Sequence, residues 1–343
     1  MTATADRLRP GHGLDVEAFK DPAAFDSLKT DWVELEQRAA EDNIFLTHLW
    51  QHAWWADLGR GQLDIVTFRD NHRLVGLAPT YHEDVGGFPA VRFGGGLEVS
   101  DYLGVLVEPG YESAVGRAFL EHCLELPGLV LDFHFLRADG ATVRALTAAA
   151  RDMDRRYIEE DEEVSPYIEL TGDWETYLAT LKKKNRHELR RKRRRLEEAG
   201  GWTITETRPE TLAADLETFF DLHAKSSRAK QDFLTDEVKG FFRHICRHLE
   251  AAGWLSLRIL EHQDRPLAAV LGFAYRSKLL LYNSGYDPGA NILSPGFVLM
   301  SEEVRLAIED GLSEVDFLRG DEKYKYALGA RDRRLVHLTV ELT

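Results

Sequence analysis

Residues 278–297 read KLLLYNSGYDPGANILSPGF, and this stretch decides how the rest of the chain divides. Lys278 to Tyr286 is rich in β-formers and predicts a strand. Alternation puts Tyr282, Ser284 and Tyr286 on one face, a row of three hydroxyls suited to a polar substrate or simply to solvent. Asp-Pro-Gly then signals a loop. Ser294-Pro295-Gly296 opens a helix that runs to Asp310-Gly311. Ser294 suits the N-cap, Pro295 the first helical position, and Gly296 lets a ligand approach closely. Such a helix start offers free backbone N–H groups and a positive dipole end to an anion; the plainer reading is a capped helix without a ligand. Residue 282 is tyrosine, so Ser284-Gly285 does not complete the nucleophile elbow of a serine hydrolase.

Upstream, Trp254 to His262 and Leu267 to Tyr275 predict a hairpin across Gln263-Asp264-Arg265-Pro266. Downstream come a strand at Glu314 to Leu318, a short helix at Glu322 to Leu328 and a last strand at Arg334 to Leu342. The first half has the same order. Helices at Asp21 to Arg38 and Thr47 to Asp57 precede a hairpin, Leu63 to Phe68 with Arg73 to His82, across Asp70-Asn71-His72. A strand at Glu98 to Val107, a helix opened by Pro109-Gly110, a strand at Leu129 to Leu136 and a helix at Asp139 to Arg151 follow. HRLVGLAP (His72 to Pro79) echoes RPLAAVLG (Arg265 to Gly272), and VEPGY (Val107 to Tyr111) echoes LSPGF (Leu293 to Phe297). Self-similarity of this kind predicts a duplicated α/β domain, one copy over 14–170 and one over 202–343. The connector over 171–201 reads as a single helix from Trp174 to Glu198, about 35 Å long at 1.5 Å per residue.

The composition suits two cores: 343 residues, 44% hydrophobic and 29% charged. No apolar run reaches the roughly 18 residues of a membrane span, so no membrane insertion is expected. Met1 to Gly13 lacks the apolar segment of a secretory signal and reads as a frayed tail. Two distant cysteines, Cys123 and Cys246, give no disulfide framework. A cytoplasmic location is expected from these features together.

The net charge of −15 argues against a generic nucleic-acid coat. Yet Lys182 to Arg195 holds ten Lys or Arg and one acid, Glu188. This basic helix, with Arg186 and Arg190 as candidate ligand contacts, has three readings. It binds RNA phosphates, it holds phosphates of a smaller donor or acceptor, or it pairs with the chain's own acids, including Glu159 to Glu163. Leu178, Leu181, Leu189 and Leu196 form an apolar stripe, so the helix packs on something. No aromatic residue interleaves with the basic run, which disfavours a single-strand stacking platform.

DFLRGDEKYKYALG (316–329) is the densest polar cluster after a buried strand. Asp321 or Glu322 is a candidate base, and Lys325 or Arg319 a candidate to neutralise phosphate or developing charge. The plainer reading is a helix-capping acid with surface ion pairs. Asp101 and Tyr102, in SDYLG, are placed to reach a cleft between the halves, unless they are a loop-capping acid beside a core tyrosine. His48/His52 and His244/His248 have the i,i+4 spacing of zinc ligands, but neither pair has an obvious third ligand. No metal site is expected.

WETYLATLKKKNRHELRRKRRRLEEAG (174–200) together with SGYDPGANILSPGFVLMSEEVRLAIEDGLSEVDFLRGDEKYKYALG (284–329) resembles the CelD-like acetyltransferases of the GNAT superfamily. That branch is similar to the Fem peptidyl transferases, which carry two GNAT domains. The resemblance is strongest over Trp174 to Gly329 and weaker over Phe45 to Val107. It implies a tandem duplication of GNAT-like domains, each a mixed, mostly antiparallel sheet flanked by helices. It also implies transfer of an acetyl group from acetyl-coenzyme A to an amine or hydroxyl of a polar acceptor, such as an amino sugar or polysaccharide precursor. Ser294, Pro295, Gly296 and Arg319 would then hold the coenzyme A pyrophosphate. Asp321, Tyr324 and Lys325 would be catalytic, Tyr324 standing where the family often places its acid, with base and acid left open between them. NILSPG departs from the family's usual Gln/Arg-x-x-Gly-x-Gly/Ala. His223, in FFDLHAKSS, matches a recurring position and otherwise reads as structural. The first half has no counterpart of Arg319 to Lys325 and is expected to be the silent copy. Two alternatives stay open: a Fem-like transferase using aminoacyl-tRNA, and a non-catalytic scaffold binding RNA or anionic polymer through the basic helix.

Overall fold

The structure is a computed structural model that describes residues 13–126 and 130–342. The expected tail lies outside these residues except for Gly13, as does Leu129 at the start of one expected strand. The first half contains β1 (Asp15–Phe19), α1 (Ala24–Arg38), α2 (His48–Leu58), β2 (Gln62–Asp70), β3 (Arg73–Val85), β4 (Phe88–Phe93), β5 (Leu106–Val107), α3 (Glu112–Leu124), β6 (Val130–Arg137), α4 (Ala141–Asp152) and β7 (Tyr157–Glu169). The connector holds α5 (Trp174–Thr180) and α6 (Lys183–Glu198). The second half contains β8 (Thr203–Glu206), α7 (Leu212–Ser226), α8 (Arg228–Phe233), α9 (Asp236–Ala251), β9 (Leu255–His262), β10 (Arg265–Tyr275), β11 (Lys278–Tyr286), α10 (Pro295–Glu309), β12 (Glu314–Asp316), α11 (Lys323–Ala327) and β13 (Arg331–Glu341).

The duplication is visible element by element, and so is a feature the sequence does not announce. Among the described residues one sheet runs β1-β2-β3-β4-β6-β13-β7-β12-β11-β10-β9-β8, with β5 on β3. The halves exchange their last strands: β13 lies between β6 and β7, and β7 joins β12. Only β4–β6 and β11–β12 are parallel, at equivalent places in the two halves. Helices cover both faces. In the second half α7 and α9 pack one face through Phe219, Phe220, Phe241 and Phe242, and α10 packs the other through Val298, Leu299 and Val304. Trp50 and Trp54 of α2 join the same core as α9, which seals the halves together.

Four local expectations change. The single connector helix is two, because Leu181 and Lys182 take extended backbone. Tyr177 Oη is anchored to the Leu328 carbonyl at 2.7 Å, while Leu189 and Leu196 turn toward the α10 core. The third strand of the first half is 88–93, ahead of the expected 98–107, where only β5 is regular. Gly95 and Gly96 have φ of 112° and 73° and break the chain away from β4. A Cβ on Gly96 would lie 2.5 Å from Trp54 Nε1. β1 and β7 were not expected at all. β7 reads YIEEDEEVSPYIE, too acidic to signal a strand by composition. It pairs all along β13, whose Arg331 and Arg334 form ion pairs with Glu169 and Asp161.

Candidate active site

β10 pairs the full length of β11, but β12 pairs only Lys278–Leu280 of it. Beyond Leu280 the two parallel strands part, and β11 has an edge without a strand partner. Side chains from α7 and α8 take its backbone groups instead. Lys230 Nζ donates to the Ser284 carbonyl at 2.5 Å, and His223 Nδ1 lies 3.2 Å from the same oxygen. The Tyr286 N–H donates to Ser226 Oγ at 2.8 Å. This close approach of α7 needs Gly285, where a Cβ would lie 2.2 Å from the His223 backbone nitrogen.

Because the Ser284 oxygen only accepts, His223 Nδ1 carries the proton and Nε2 presents a lone pair. That Nε2 is buried without a hydrogen-bond partner. Burial, then the nearby Lys230 charge, holds the His223 pKa down to about 4. Burial also lowers the Lys230 pKa, against the pull of Glu322.

The shared face of Tyr282, Ser284 and Tyr286 is corrected by a β-bulge. Leu271 pairs Asn283 and Gly272 pairs Leu281, so Tyr282 is the extra residue. The alternation reverses across it. Tyr282 joins the core under α7 and α9, whereas Tyr286 packs with the α10 core. Ser284 pairs Val270 of that second core. Tyr282 Oη donates to the Val99 carbonyl at 2.8 Å, reaching into the first half.

At the start of α10, Ser294 does not cap. It takes a left-handed backbone with φ 55°, and its hydroxyl lies 3.4 Å from the Asn291 carbonyl. The first-turn N–H groups are therefore not taken by that side chain. A Cβ on Gly296 would meet nothing closer than 3.6 Å, at Tyr286. The basic helix lies alongside. Lys192 Nζ sits 4.1 Å over the Phe297 ring, and Arg195 donates to the Ile292 carbonyl at 2.7 Å. Arg193 pairs with the buried Glu302 at 3.2 Å. Of the positions expected to meet ligand, Arg186 donates to the Leu178 carbonyl at 3.1 Å and Arg190 lies 3.5 Å from Glu175. Of the three readings, pairing with the chain's own acids is seen in part, though not with Glu159 to Glu163. The acids that α6 meets are Glu175, Glu188 and Glu302.

The segment after β12 is bolted to the first half. Asp316 is buried and accepts from Tyr102 Oη at 2.6 Å, Arg333 Nη1 at 2.7 Å and the Leu318 N–H at 2.8 Å. Burial raises the pKa of both Asp316 and Tyr102. Arg319 forms an ion pair with Asp101, donates to the Leu97 carbonyl at 2.9 Å and lies 3.7 Å over the Phe135 ring. Lys325 points inward. Its ammonium contacts the carbonyls of Leu318, Arg319 and Gly320 at 2.7–3.1 Å and Glu322 at 2.9 Å. The cationic heads of Arg319 and Lys325 thus hold the 316–325 segment in shape. Asp321 and Glu322 are exposed. Tyr324 packs against Phe317 in the α10 core, and burial, then the Glu322 charge, raises its pKa. Tyr102, Phe135 and Leu318 all have φ between 52° and 54°, a left-handed conformation costly for bulky residues. Three such residues at one seam mark a place where geometry is held against local preference.

A 360 Å³ cavity opens along this seam, lined by Trp54, Tyr81, Arg92, Leu97, Val99 and Phe233 among others. It borders the site through Leu97, Val99 and Phe233, which contact Arg319, Tyr282 and His223. A larger cavity of 680 Å³, walled by His48, His52, His244 and His248, takes no lining from β11, α10 or residues 316–325.

Residues 183–326 match the family described as acetyltransferase (GNAT) domain. The chain has a GNAT-like fold. FemX is similar in structure, with a TM-score of 0.66 at 11% identity over 91% of this chain and 95% of that one. L-PGS from Bacillus licheniformis gives 0.55 at 11% over 92% and 91%. A tandem GNAT protein from the clavulanic acid biosynthesis pathway gives 0.53 at 17% over 96% and 99%. A comparison with curated proteins found no match. No helix among the described residues is long and apolar enough to cross a membrane.

On this GNAT-like fold, Asp101-Tyr102, the 316–325 segment and Tyr282 of the expected strand meet at one seam, while the start of α10 lies on the other face of the sheet beside α6. The sequence reading missed Ser226 and Lys230, which hold the open strand edge. It also missed Lys192 and Arg195 as the basic residues beside α10. Lys230 stands seven residues after His223, two helical turns on, but a short intervening break hides that relation.

Proposed function

We propose that the second half catalyses acyl transfer, moving an acetyl group from acetyl-coenzyme A to an amine or hydroxyl of a polar acceptor such as an amino sugar or polysaccharide precursor. The observation that carries this reading is the open edge of β11 leading to the uncapped start of α10, with a basic helix beside it. These features fit the donor's chemistry. Gly296 would offer a free N–H to the pyrophosphate at the dipole end of α10, Ser294 and Pro295 would shape the turn that presents it, and Lys192 and Arg195 would supply positive charge.

Asp321 removes the proton from the acceptor nitrogen or oxygen, which then attacks the thioester carbonyl. The carbon–sulfur bond breaks, and Tyr324 gives its proton to the leaving thiolate. The phenol is protonated at neutral pH, as an acid requires. Lys325 and Arg319 fix the segment that carries Asp321 and Tyr324. Asp101, Tyr102 and Tyr282 shape the seam through which the acceptor enters, and the first half serves as a non-catalytic wall.

A second reading is favoured by the basic helix. Lys182, Lys183, Lys184 and Arg194 form no ion pair among the described residues, so a Fem-like donor, aminoacyl-tRNA, would find free cations there. Isothermal titration separates the two. Saturable binding of acetyl-coenzyme A alone supports the first reading. Salt-sensitive binding of tRNA without coenzyme A binding overturns it and favours the second, or a non-catalytic scaffold.

A further inference from the structure

On the middle strands of the sheet, away from the open edge of β11, Asp132 and His134 of β6 meet His337 of β13, 205 residues further along the chain than Asp132. We propose that Asp132, His134 and His337 bind a divalent transition-metal ion, Zn²⁺ by preference. The three ligand atoms lie near one another, within small shifts of the separations found around one ion. Asp132 Oδ1 lies 2.7 Å from His337 Nε2 and 3.2 Å from His134 Nε2, and all three atoms fall within 4.8 Å of one another. Ligands each about 2.0–2.2 Å from a zinc ion lie roughly 3–3.5 Å apart. Two imidazole nitrogens and one carboxylate oxygen are a donor set that divalent transition metals share.

A second layer of contacts is already built. Glu162 Oε1 lies 2.5 Å from His134 Nδ1 and keeps a proton there, so an ion that displaces the proton shared by Nε2 and Asp132 meets a lone pair on Nε2. The other Glu162 oxygen accepts the Phe135 N–H at 2.8 Å, fixing the carboxylate. Arg92 holds Asp132 Oδ2 from Nη2 at 2.6 Å and Nε at 2.9 Å, leaving Oδ1 for the ion. Arg92 also pairs with Glu83 at 2.7 Å. With neutral imidazoles, Asp132, Glu162 and Glu83 outweigh Arg92 by two negative charges, which a divalent ion balances.

The two imidazole rings are stacked, centroids 4.0 Å apart and 7° from parallel. Each Nε2 lone pair lies in its ring plane, so binding one ion through both turns one imidazole out of this stack. The three side chains are 16–26% exposed, so an ion can enter and water can complete its coordination. The ion would tie the exchanged strand β13 to β6 of the first half.

The test is titration of chelator-treated full-length protein with Zn²⁺ near neutral pH. The expected result is about one equivalent bound at micromolar Kd or tighter. H337Q should abolish that binding, and E162Q should weaken it roughly 10–100-fold. Zn²⁺ should raise the melting temperature of the wild type and leave that of H337Q unmoved. Circular dichroism of H337Q confirms that it is folded, and Co²⁺ absorption bands present only in the wild type report the ligand set independently. The H244A/H248A variant, altered at the other histidine cluster, should bind as the wild type does. Absence of saturable Zn²⁺ binding overturns the proposal. So does binding that survives in H337Q and disappears in H244A/H248A.

Discussion

Asp101 of the first half receives both the guanidinium and, at 3.1 Å, the backbone N–H of Arg319 of the second. This buried carboxylate therefore positions the segment that carries Asp321 and Tyr324. D101N keeps the shape and removes the charge. It should cost about 1–3 kcal/mol in urea denaturation, less than a fully buried pair because Arg319 is partly exposed. Turnover should fall further than stability alone explains, since the loop loses its anchor.

Two glycines should respond in opposite ways. G285A places a Cβ against the α7 backbone and should destabilise by roughly 3 kcal/mol or more, read by thermal denaturation. G296A meets only ordinary contacts, so its melting temperature should stay near that of the wild type. Its affinity for acetyl-coenzyme A should nevertheless drop, because the added methyl stands at the start of α10.

D321N and Y324F should each reduce turnover by about 10²–10⁴-fold with unchanged circular dichroism. Unchanged turnover in both would remove these two residues from the chemistry.

K325M strands the carbonyls of Leu318, Arg319 and Gly320 around an apolar side chain. About 3 kcal/mol or more of stability should be lost, with activity falling in parallel. K323M, at an exposed neighbour, is the control and should stay within about 0.5 kcal/mol.

His223 should shape the acid limb of stability. Its folded pKa of about 4 lies below the ordinary value of 6.5, so the unfolded chain binds the extra proton between these pH values. Stability should therefore decline as pH falls from 6.5 toward 4, with this residue accounting for roughly 3 kcal/mol by the lower end. H223Q removes the titration and should flatten that part of the profile, measured as urea midpoint against pH.

The sequence by itself determined the duplication, the α/β class, the strand–loop–helix unit at 278–297 and the polar segment at 316–325. Each is written in local periodicity, turn residues or short-range echoes, which the backbone obeys wherever the segment lies. Only the tertiary structure decided the rest. The bulge at Tyr282 shows itself in pairing with β10, and it reverses which hydroxyls share a face. β7 is a strand because β13 supplies its hydrogen bonds and opposite charges, although its own composition argues against one. The roles of Arg319 and Lys325 depend on Asp101 and on carbonyls curled around an ammonium. The cluster of Asp132, His134 and His337 exists because the halves exchange strands. A contact across 205 residues leaves no periodic trace in the chain, since burial and pairing, rather than local propensity, bring its partners together.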